Sequence, residues 1–146
     1  MRSRPYESLI IVGPSGSGKT TFSLSKYSTY ERISQDELGN REKCEVRFTE
    51  LLSQGKNVIV DRTNISRKQR RTWLNLAKEH KAMVKCVFLR VPYDVCVARV
   101  LARRGHPTIT AELTDEKKQN IVSKFQSELE EPHIEEGFDS LEICYG

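Results

Sequence analysis

A glycine-rich segment near the start of the chain carries the residue types best suited to chemistry. Its eight residues fit the pattern GxxxxGK(S/T) at every position; they are Gly13, Pro14, Ser15, Gly16, Ser17, Gly18, Lys19 and Thr20. Glycines let backbone N–H groups surround phosphate oxygens, a lysine ammonium neutralises the β- and γ-phosphates, and a threonine hydroxyl can hold Mg²⁺. We therefore predict that all eight residues bind a nucleoside triphosphate, with Thr20 as a metal ligand.

Two aspartates follow apolar runs that predict strands. Asp36 comes shortly after residues 30–34, and Asp61 ends residues 57–61. Open α/β sheets bind ligands at the carboxyl ends of their strands. Phosphoryl transfer needs a group that takes the proton of the acceptor hydroxyl, and we predict Asp36 for that role. Its competitors are Asp61, Asp94 and Glu37, and Asp36 also suits the N-cap of a helix that begins at Glu37.

Asp61 opens a polar segment that continues to Thr63 and Asn64. A carboxylate at a strand end can hold Mg²⁺ through water or orient Lys19. We predict that Asp61 shares the metal with Thr20, and that Thr63 and Asn64 lie on the acceptor side of the site.

A pair of arginines marks a candidate lid. Arg99 and Arg103 are four residues apart on a predicted helix, so they project from one face toward the loop 105–110. Lid guanidinium groups that reach the β- and γ-phosphates can raise the rate by ~10³–10⁵. We predict both for ATP binding and catalysis; the alternative is an amphipathic helix with solvated arginines.

The positive charge of the chain is concentrated in one block. Residues 62–104 contain 12 lysines and arginines against two acidic residues, although the whole chain has a net charge of only +4. A small metabolite needs one or two cations, whereas a polymer with a phosphodiester backbone uses several. We predict that Arg62, Arg67 and Arg70 bind an acceptor polymer; the alternative is a solvated helix face. The spacing of Trp73 places it in the core.

The elements that must position these residues alternate along the chain. Apolar runs predict buried strands at 9–12, 57–61 and 83–91, with a terminal strand at 141–145. Helical spacing recurs between these strands over 44–52, 94–102 and 114–129, and a further helix is predicted to follow an N-cap at Ser66. Gly55 is predicted to end the first of these helices. The alternation predicts an α/β domain with a parallel sheet.

Length and composition exclude several classes of protein. The 146 residues, 37% hydrophobic and 30% charged, predict one domain with a buried core. No apolar run approaches the ~20 residues of a membrane span, and no apolar leader opens the chain, so we expect an intracellular protein, nuclear or cytoplasmic. The four cysteines are 42, 10 and 48 positions apart, which excludes CxxC zinc sites.

A regulatory GTPase would show Asn-Lys-x-Asp, which is absent, and an AAA-type ATPase would need more chain. A compact phosphotransferase remains.

The motifs together resemble the polynucleotide 5′-hydroxyl kinases, and among these the kinase domains of the animal polynucleotide kinase/3′-phosphatases. The resemblance spans about residues 8–143 and is carried by the phosphate loop, Ser34-Gln35-Asp36-Glu37-Leu38-Gly39, Val60-Asp61-Arg62-Thr63-Asn64, Arg70, Arg99, Arg103, and the closing stretch 125–143. It implies a P-loop kinase fold over residues 1–146, with a mostly parallel five-stranded sheet flanked by helices and a helical and loop lid at about 94–113.

The resemblance also implies a function. The implied function is transfer of the γ-phosphate of ATP, with Mg²⁺, to the 5′-OH end of DNA or RNA, in DNA repair or RNA processing. Asp36 matches the general base of the family, and Arg99 and Arg103 match its lid arginines. One departure concerns the acceptor: the family often has an arginine just before the base, where this chain has Gln35. Two alternatives stay open, a small-metabolite kinase and a non-catalytic nucleotide-binding module that docks nucleic acid.

Overall fold

Five strands form one parallel sheet in the computed structural model, which describes residues 7–13, 17–34, 39–102 and 115–145. The strands are β1 (Glu7–Val12), β2 (Glu31–Ser34), β3 (Val58–Asp61), β4 (Met83–Leu89) and β5 (Ser140–Cys144). Their order is β2-β3-β1-β4-β5, and every neighbouring pair runs parallel. The central strands are buried on both faces, which explains their unbroken apolar runs. The predicted α/β fold with a parallel sheet is confirmed.

Helices cover both faces of this sheet. They are α1 (Lys19–Lys26), α2 (Arg41–Ser53), α3 (Arg67–Glu79), α4 (Tyr93–Ala102) and α5 (Asp115–Glu128), and a short 3₁₀ turn spans Ile134–Glu136. Phe22 of α1 packs on one face, while α2 and α3 bury Phe48 and Trp73 against the other. α4 and α5 pack together through Val100 and Val122. None of the described helices is both long and apolar enough to cross a bilayer.

The helix boundaries test the sequence signals one by one. Ser66 caps α3, because its hydroxyl accepts a hydrogen bond from the Gln69 N–H at 3.1 Å. Gly55 follows α2 with a φ of +72°, as predicted. α2 begins at Arg41, where the side chain of Asn40 accepts from the Lys43 N–H at 2.9 Å. Asp36 and Glu37 lie outside the described residues, so the helix start predicted at Glu37 stays a prediction. Gly39, with φ +97°, is in a left-handed conformation that a right-handed helix does not continue through.

The chain path creates a crevice at the carboxyl edge of the sheet. β1 and β3 are neighbours, but the helices that follow them, α1 and α3, pack on opposite faces. Ligands of open α/β sheets bind between adjacent strands whose following helices lie on opposite faces of the sheet. The phosphate loop leaves β1 and Asp61 ends β3, so both lie at this edge. The part of the predicted lid beyond Ala102, including Arg103, lies outside the described residues.

Candidate active site

The phosphate loop needs glycine at both of its described ends. At Gly13 a Cβ would come within 2.6 Å of the Ser17 Oγ and 3.3 Å of the Leu89 Cβ, so no side chain fits. Gly18 has a φ of +92° and immediately precedes α1, a conformation that L-residues rarely adopt. Pro14, Ser15 and Gly16 lie outside the described residues. Of the predicted loop, Gly13, Ser17, Gly18, Lys19 and Thr20 are therefore placed between β1 and the first turn of α1.

Thr20, Asp61 and Arg32 meet in a triangle of hydrogen bonds at the end of the loop. The Thr20 hydroxyl donates to Asp61 Oδ2 at 3.1 Å. Arg32 of β2 donates to the same oxygen from both Nε and Nη2, each at 2.8 Å, and its Nη2 also lies 3.3 Å from Thr20 Oγ1. The Asp61 side chain is only 3% exposed and that of Arg32 is 16% exposed. The structure thus brings the two predicted metal ligands together, and Arg32 contacts Thr20 Oγ1 and Asp61 Oδ2.

The oxygens of this triangle fit a magnesium ion. Mg²⁺ prefers hard oxygen donors, and the hydroxyl of Thr20 and the carboxylate of Asp61 supply two of them beside the phosphate loop. Sequence reasoning missed Arg32, because a charged residue in an edge strand carries no signal of its own. Its partner Asp61 is 29 positions away in the sequence, so only the pairing of β2 with β3 reveals the contact.

Asn64 is a structural anchor rather than an acceptor contact, which corrects its predicted role. It is 2% exposed, and its Nδ2 donates to the carbonyl of Ile11 at 2.7 Å and to that of Arg62 at 3.2 Å. Its Oδ1 accepts from the indole N–H of Trp73 at 3.1 Å. The Gly13 N–H donates to the Thr63 carbonyl at 3.3 Å as well. The segment after Asp61 is therefore tied to β1, which fixes Asp61 relative to the phosphate loop.

Arg70 also has a structural role, and its predicted contact with an acceptor is wrong. Its side chain is fully buried, Nε and Nη2 donate to the two carboxylate oxygens of Glu136 at 2.9 and 3.0 Å, and Nη1 donates to the Asn64 carbonyl at 2.9 Å. A guanidinium that is buried and already paired has no surface for a polymer. The core position predicted for Trp73 is confirmed, since that residue is 1% exposed.

Other cations remain on the acceptor side of the edge. Arg62 is half-buried, with its guanidinium carbon 5.9 Å from the centroid of the Trp73 ring. Burial lowers the pKa of Arg62 and the nearby charge of Arg41 lowers it further, while Cys44 and Glu45 oppose the shift. Arg41, at the start of α2, is thus a neighbour that sequence reasoning missed. Arg67, the first residue of α3, has a side chain that is 47% exposed.

A cavity of about 440 Å³ opens on the other side of the phosphate loop. It is lined by the loop and α1 (Ser17, Gly18, Thr21, Phe22, Lys26), the end of β4 and the segment after it (Leu89, Val91), α4 (Arg99), and the end of β5 with the next residue (Cys144, Tyr145). The position that a Cβ would take at Gly18 lies 3.9 Å from the Arg99 Nη1. Burial raises the pKa of the Cys96 thiol, and the charges of Arg99 and Lys19 oppose that shift.

The residues predicted for catalysis are therefore placed in part. Lys19 begins α1 directly after the loop, and Arg99 lines the cavity beside Gly18. The mixed apolar and basic lining of that cavity suits a nucleoside with phosphates. Asp36 and Arg103 lie outside the described residues, so their roles stay predictions.

A family model described as "AAA domain" matches residues 39–128, well over half of the chain. The matched segment begins after the phosphate loop, so the two signals are independent of each other. A domain of that description therefore fits within the 146 residues.

Two curated proteins align with nearly the whole chain. It is 32% identical to "Transcription factor bHLH140" of Arabidopsis thaliana, over 94% of this chain and 16% of that protein. It is 31% identical to "Bifunctional polynucleotide phosphatase/kinase" of Schizosaccharomyces pombe, over 97% of this chain and 34% of that protein. The chain thus spans about a third or less of the length of these relatives. A likeness to polynucleotide kinases is confirmed, and the narrower likeness to the animal enzymes stays a prediction.

Solved structures agree on the fold. A fungal RNA kinase superposes with a TM-score of 0.74 at 14% identity, covering 98% of this chain and 76% of that one. A gluconokinase from Sinorhizobium meliloti 1021 superposes with a TM-score of 0.66 at 20% identity, covering 98% and 84%. At such identities the likeness is one of fold. The chain has the P-loop kinase fold that the sequence predicts.

Proposed function

From the premise that this chain belongs to the AAA domain family and has the P-loop kinase fold, we propose that it transfers the γ-phosphate of ATP to the 5′-OH end of a polynucleotide. The observation that carries the proposal is the run of cations after Asp61, the partner of Thr20 in the phosphate loop. Arg62 follows Asp61 directly and is close enough to Arg41 for the two charges to interact, and Arg67 begins α3 with a side chain that is 47% exposed. The polynucleotide phosphatase/kinase of fission yeast supports the choice of acceptor.

The nucleotide half of the reaction uses the loop and the cavity. The phosphates lie against the backbone N–H groups of the loop, with Lys19 and Arg99 neutralising their charge. The nucleoside occupies the cavity, where Phe22 and Leu89 offer apolar surface. Thr20 and Asp61 would hold Mg²⁺, which would neutralise charge on the β- and γ-phosphates.

The acceptor half of the reaction needs a general base and cations that bind the phosphates of the acceptor. Asp36 follows β2, whose last residue pairs in register with Asp61, so the general base is expected at the same edge as the metal ligands. A phosphodiester backbone carries one negative charge per nucleotide, and Arg41, Arg62 and Arg67 neutralise the first of them. These cations replace the arginine that the family often has at the position of Gln35.

The deciding experiment offers γ-labelled ATP with a panel of acceptors. The panel contains 5′-OH oligodeoxynucleotides, 5′-OH oligoribonucleotides, the same oligonucleotides with a 5′-phosphate, nucleosides, and sugars including gluconate. We expect label on the 5′-OH oligonucleotides and none on their 5′-phosphorylated controls. Label on a sugar or a nucleoside alone would overturn the proposal in favour of a small-metabolite kinase, whose fold the gluconokinase shares.

Three variants separate a kinase from a nucleotide-binding module. Asp36→Asn is expected to abolish transfer while ATP binding stays nearly unchanged, because the amide cannot take the proton of the hydroxyl. Arg103→Ala is expected to lower kcat by ~10²-fold or more, and Arg99→Ala by a similar factor. If wild type binds oligonucleotides and ATP but transfers no label to any acceptor, the chain is a binding module.

A further inference from the structure

Arg32 contacts both side chains that are expected to hold the metal, at the Thr20 hydroxyl and at one carboxylate oxygen of Asp61. Its Nε and Nη2 both lie 2.8 Å from Asp61 Oδ2, and Nη2 is 3.3 Å from Thr20 Oγ1. The contact is well shielded, because the Asp61 side chain is 3% exposed and that of Arg32 is 16% exposed. A guanidinium in this position neutralises the carboxylate and takes lone pairs of Asp61 Oδ2 that a metal could otherwise use.

A second cation cannot enter this site on its own without a large electrostatic cost. Two positive ions on the same two oxygens repel each other over a few ångströms, in surroundings that screen the charge less than bulk water does. A triphosphate removes that cost, since its β- and γ-phosphates bring several negative charges to the same point. Without nucleotide, the cation that the structure places at these side chains is Arg32.

We propose that Arg32 is a built-in competitor of the metal, which holds Thr20 and Asp61 in place and keeps bare Mg²⁺ out until a nucleotide arrives with it. Metal and nucleotide then bind as a coupled pair rather than independently. The inference rests on the nucleotide half of the proposed function and is independent of the acceptor.

The test measures binding of Mn²⁺ alone, as a spectroscopic substitute for Mg²⁺, by electron paramagnetic resonance at matched ionic strength. Arg32→Gln keeps hydrogen-bond donors and removes the charge, so it is expected to bind Mn²⁺ without nucleotide about tenfold more tightly than wild type, or more. Arg32→Lys keeps the charge and is expected to exclude the ion as wild type does. Arg47→Gln, which removes a positive charge from an exposed pair on α2, is the matched control.

The direction of the change distinguishes competition from support. If Arg32 only orients Asp61, Arg32→Gln weakens Mn²⁺ binding, and that result overturns the proposal. Asp61→Asn in the Arg32→Gln background must abolish the gained site, otherwise the ion binds elsewhere and the proposal is again wrong.

A measurement on wild type protects the test against a variant that does not fold. The Arg32 Nε–H resonance is followed by NMR during titration with Mg²⁺ alone and then with Mg²⁺ and a non-hydrolysable ATP analogue. We expect it to move only in the second titration, and an equal movement with Mg²⁺ alone would overturn the proposal. Neither measurement involves phosphoryl transfer, so a negative acceptor panel and a negative result here are distinguishable.

Discussion

The guanidinium of Arg70 and the carboxylate of Glu136 form a two-pronged ion pair, with side chains that are 0% and 5% exposed. The pair joins α3 to the 3₁₀ turn after α5. Arg70 also holds the carbonyl of Asn64, so the pair supports the segment that follows Asp61.

Removing one partner of this pair is expected to be costly. Arg70→Ala leaves the buried Glu136 carboxylate with only the longer contact to Arg67, at 3.9 Å, and should lower the free energy of unfolding by ~3–5 kcal/mol, measured by urea denaturation. The double variant Arg70→Met/Glu136→Leu should recover most of the loss, because no unpaired charge remains. A stable Arg70→Ala protein that has lost only oligonucleotide affinity would instead restore Arg70 as an acceptor contact.

The indole N–H of Trp73 is expected to matter through Asn64. Trp73→Phe keeps most of the ring, which lies 5.2 Å from that of Phe48, but leaves the buried Asn64 Oδ1 without its donor. The cost should be about 1–3 kcal/mol, measured by circular dichroism in urea. The control is Tyr93→Phe, which removes an exposed hydrogen bond to Ser123 and should cost under about 0.5 kcal/mol. An unchanged stability with weaker oligonucleotide binding would mean that Trp73 contacts a base.

Cys144 provides a probe of the nucleotide cavity. It is the half-buried thiol of the chain, whereas Cys44, Cys86 and Cys96 are buried, and it lines the cavity. Burial raises the pKa of Cys144, so little thiolate is present at neutral pH and the alkylation rate should climb as pH rises through and above the ordinary thiol value. Burial also raises the pKa of Cys86, to about 12, so that thiol should stay unmodified.

Mass spectrometry after iodoacetamide treatment measures both expectations. ATP should slow the labelling of Cys144 by about tenfold or more at 100 times its Kd, because bound nucleotide covers the thiol. The Cys144→Ser protein is the control for labelling elsewhere. Equal rates with and without ATP would mean that the nucleoside lies outside this cavity.

The ion pair between Lys85 and Glu142, 3.0 Å apart on neighbouring strands, predicts a pH dependence of stability. The hydrogen bond from Lys85 lowers the pKa of Glu142, and the same bond raises the pKa of Lys85. The stabilisation from Glu142 is present above its unfolded pKa of ~4.3 and is lost as pH falls through the lower folded value. The stabilisation from Lys85 is present below its unfolded pKa of ~10.4 and is lost as pH rises through the higher folded value.

Both side chains are partly solvated, so the effect should be under ~1 kcal/mol. The measurement is the difference in unfolding free energy between wild type and Glu142→Gln, which should be largest between about pH 5 and pH 10 and fade toward pH ~3. Glu50→Gln, at an exposed helix pair, controls for the loss of a surface charge. A difference that grows on acidification would contradict the prediction.

The fold was predictable from local patterns. The unbroken apolar runs of β1 and β3 signal strands buried on both faces, and Ser66 and Gly55 mark helix ends, because each signal depends on a few adjacent residues. The start of α2 at Arg41 was harder to predict, because Asn40 and Asp36 are both residue types that cap helices and the sequence does not rank them.

The candidate site was predictable only as a set of residue types. The pattern from Gly13 to Thr20 by itself determined a phosphate loop, since every position has a local chemical reason. The tertiary structure decided which charges are free to act. It buried Arg70 against Glu136, 66 positions away, and brought Arg32 to Asp61, 29 positions away. The sequence shows which side chains are charged, but the ion-pair partner of each one depends on how distant segments pack. A charged side chain that is buried needs such a partner, because burying it unpaired costs too much free energy.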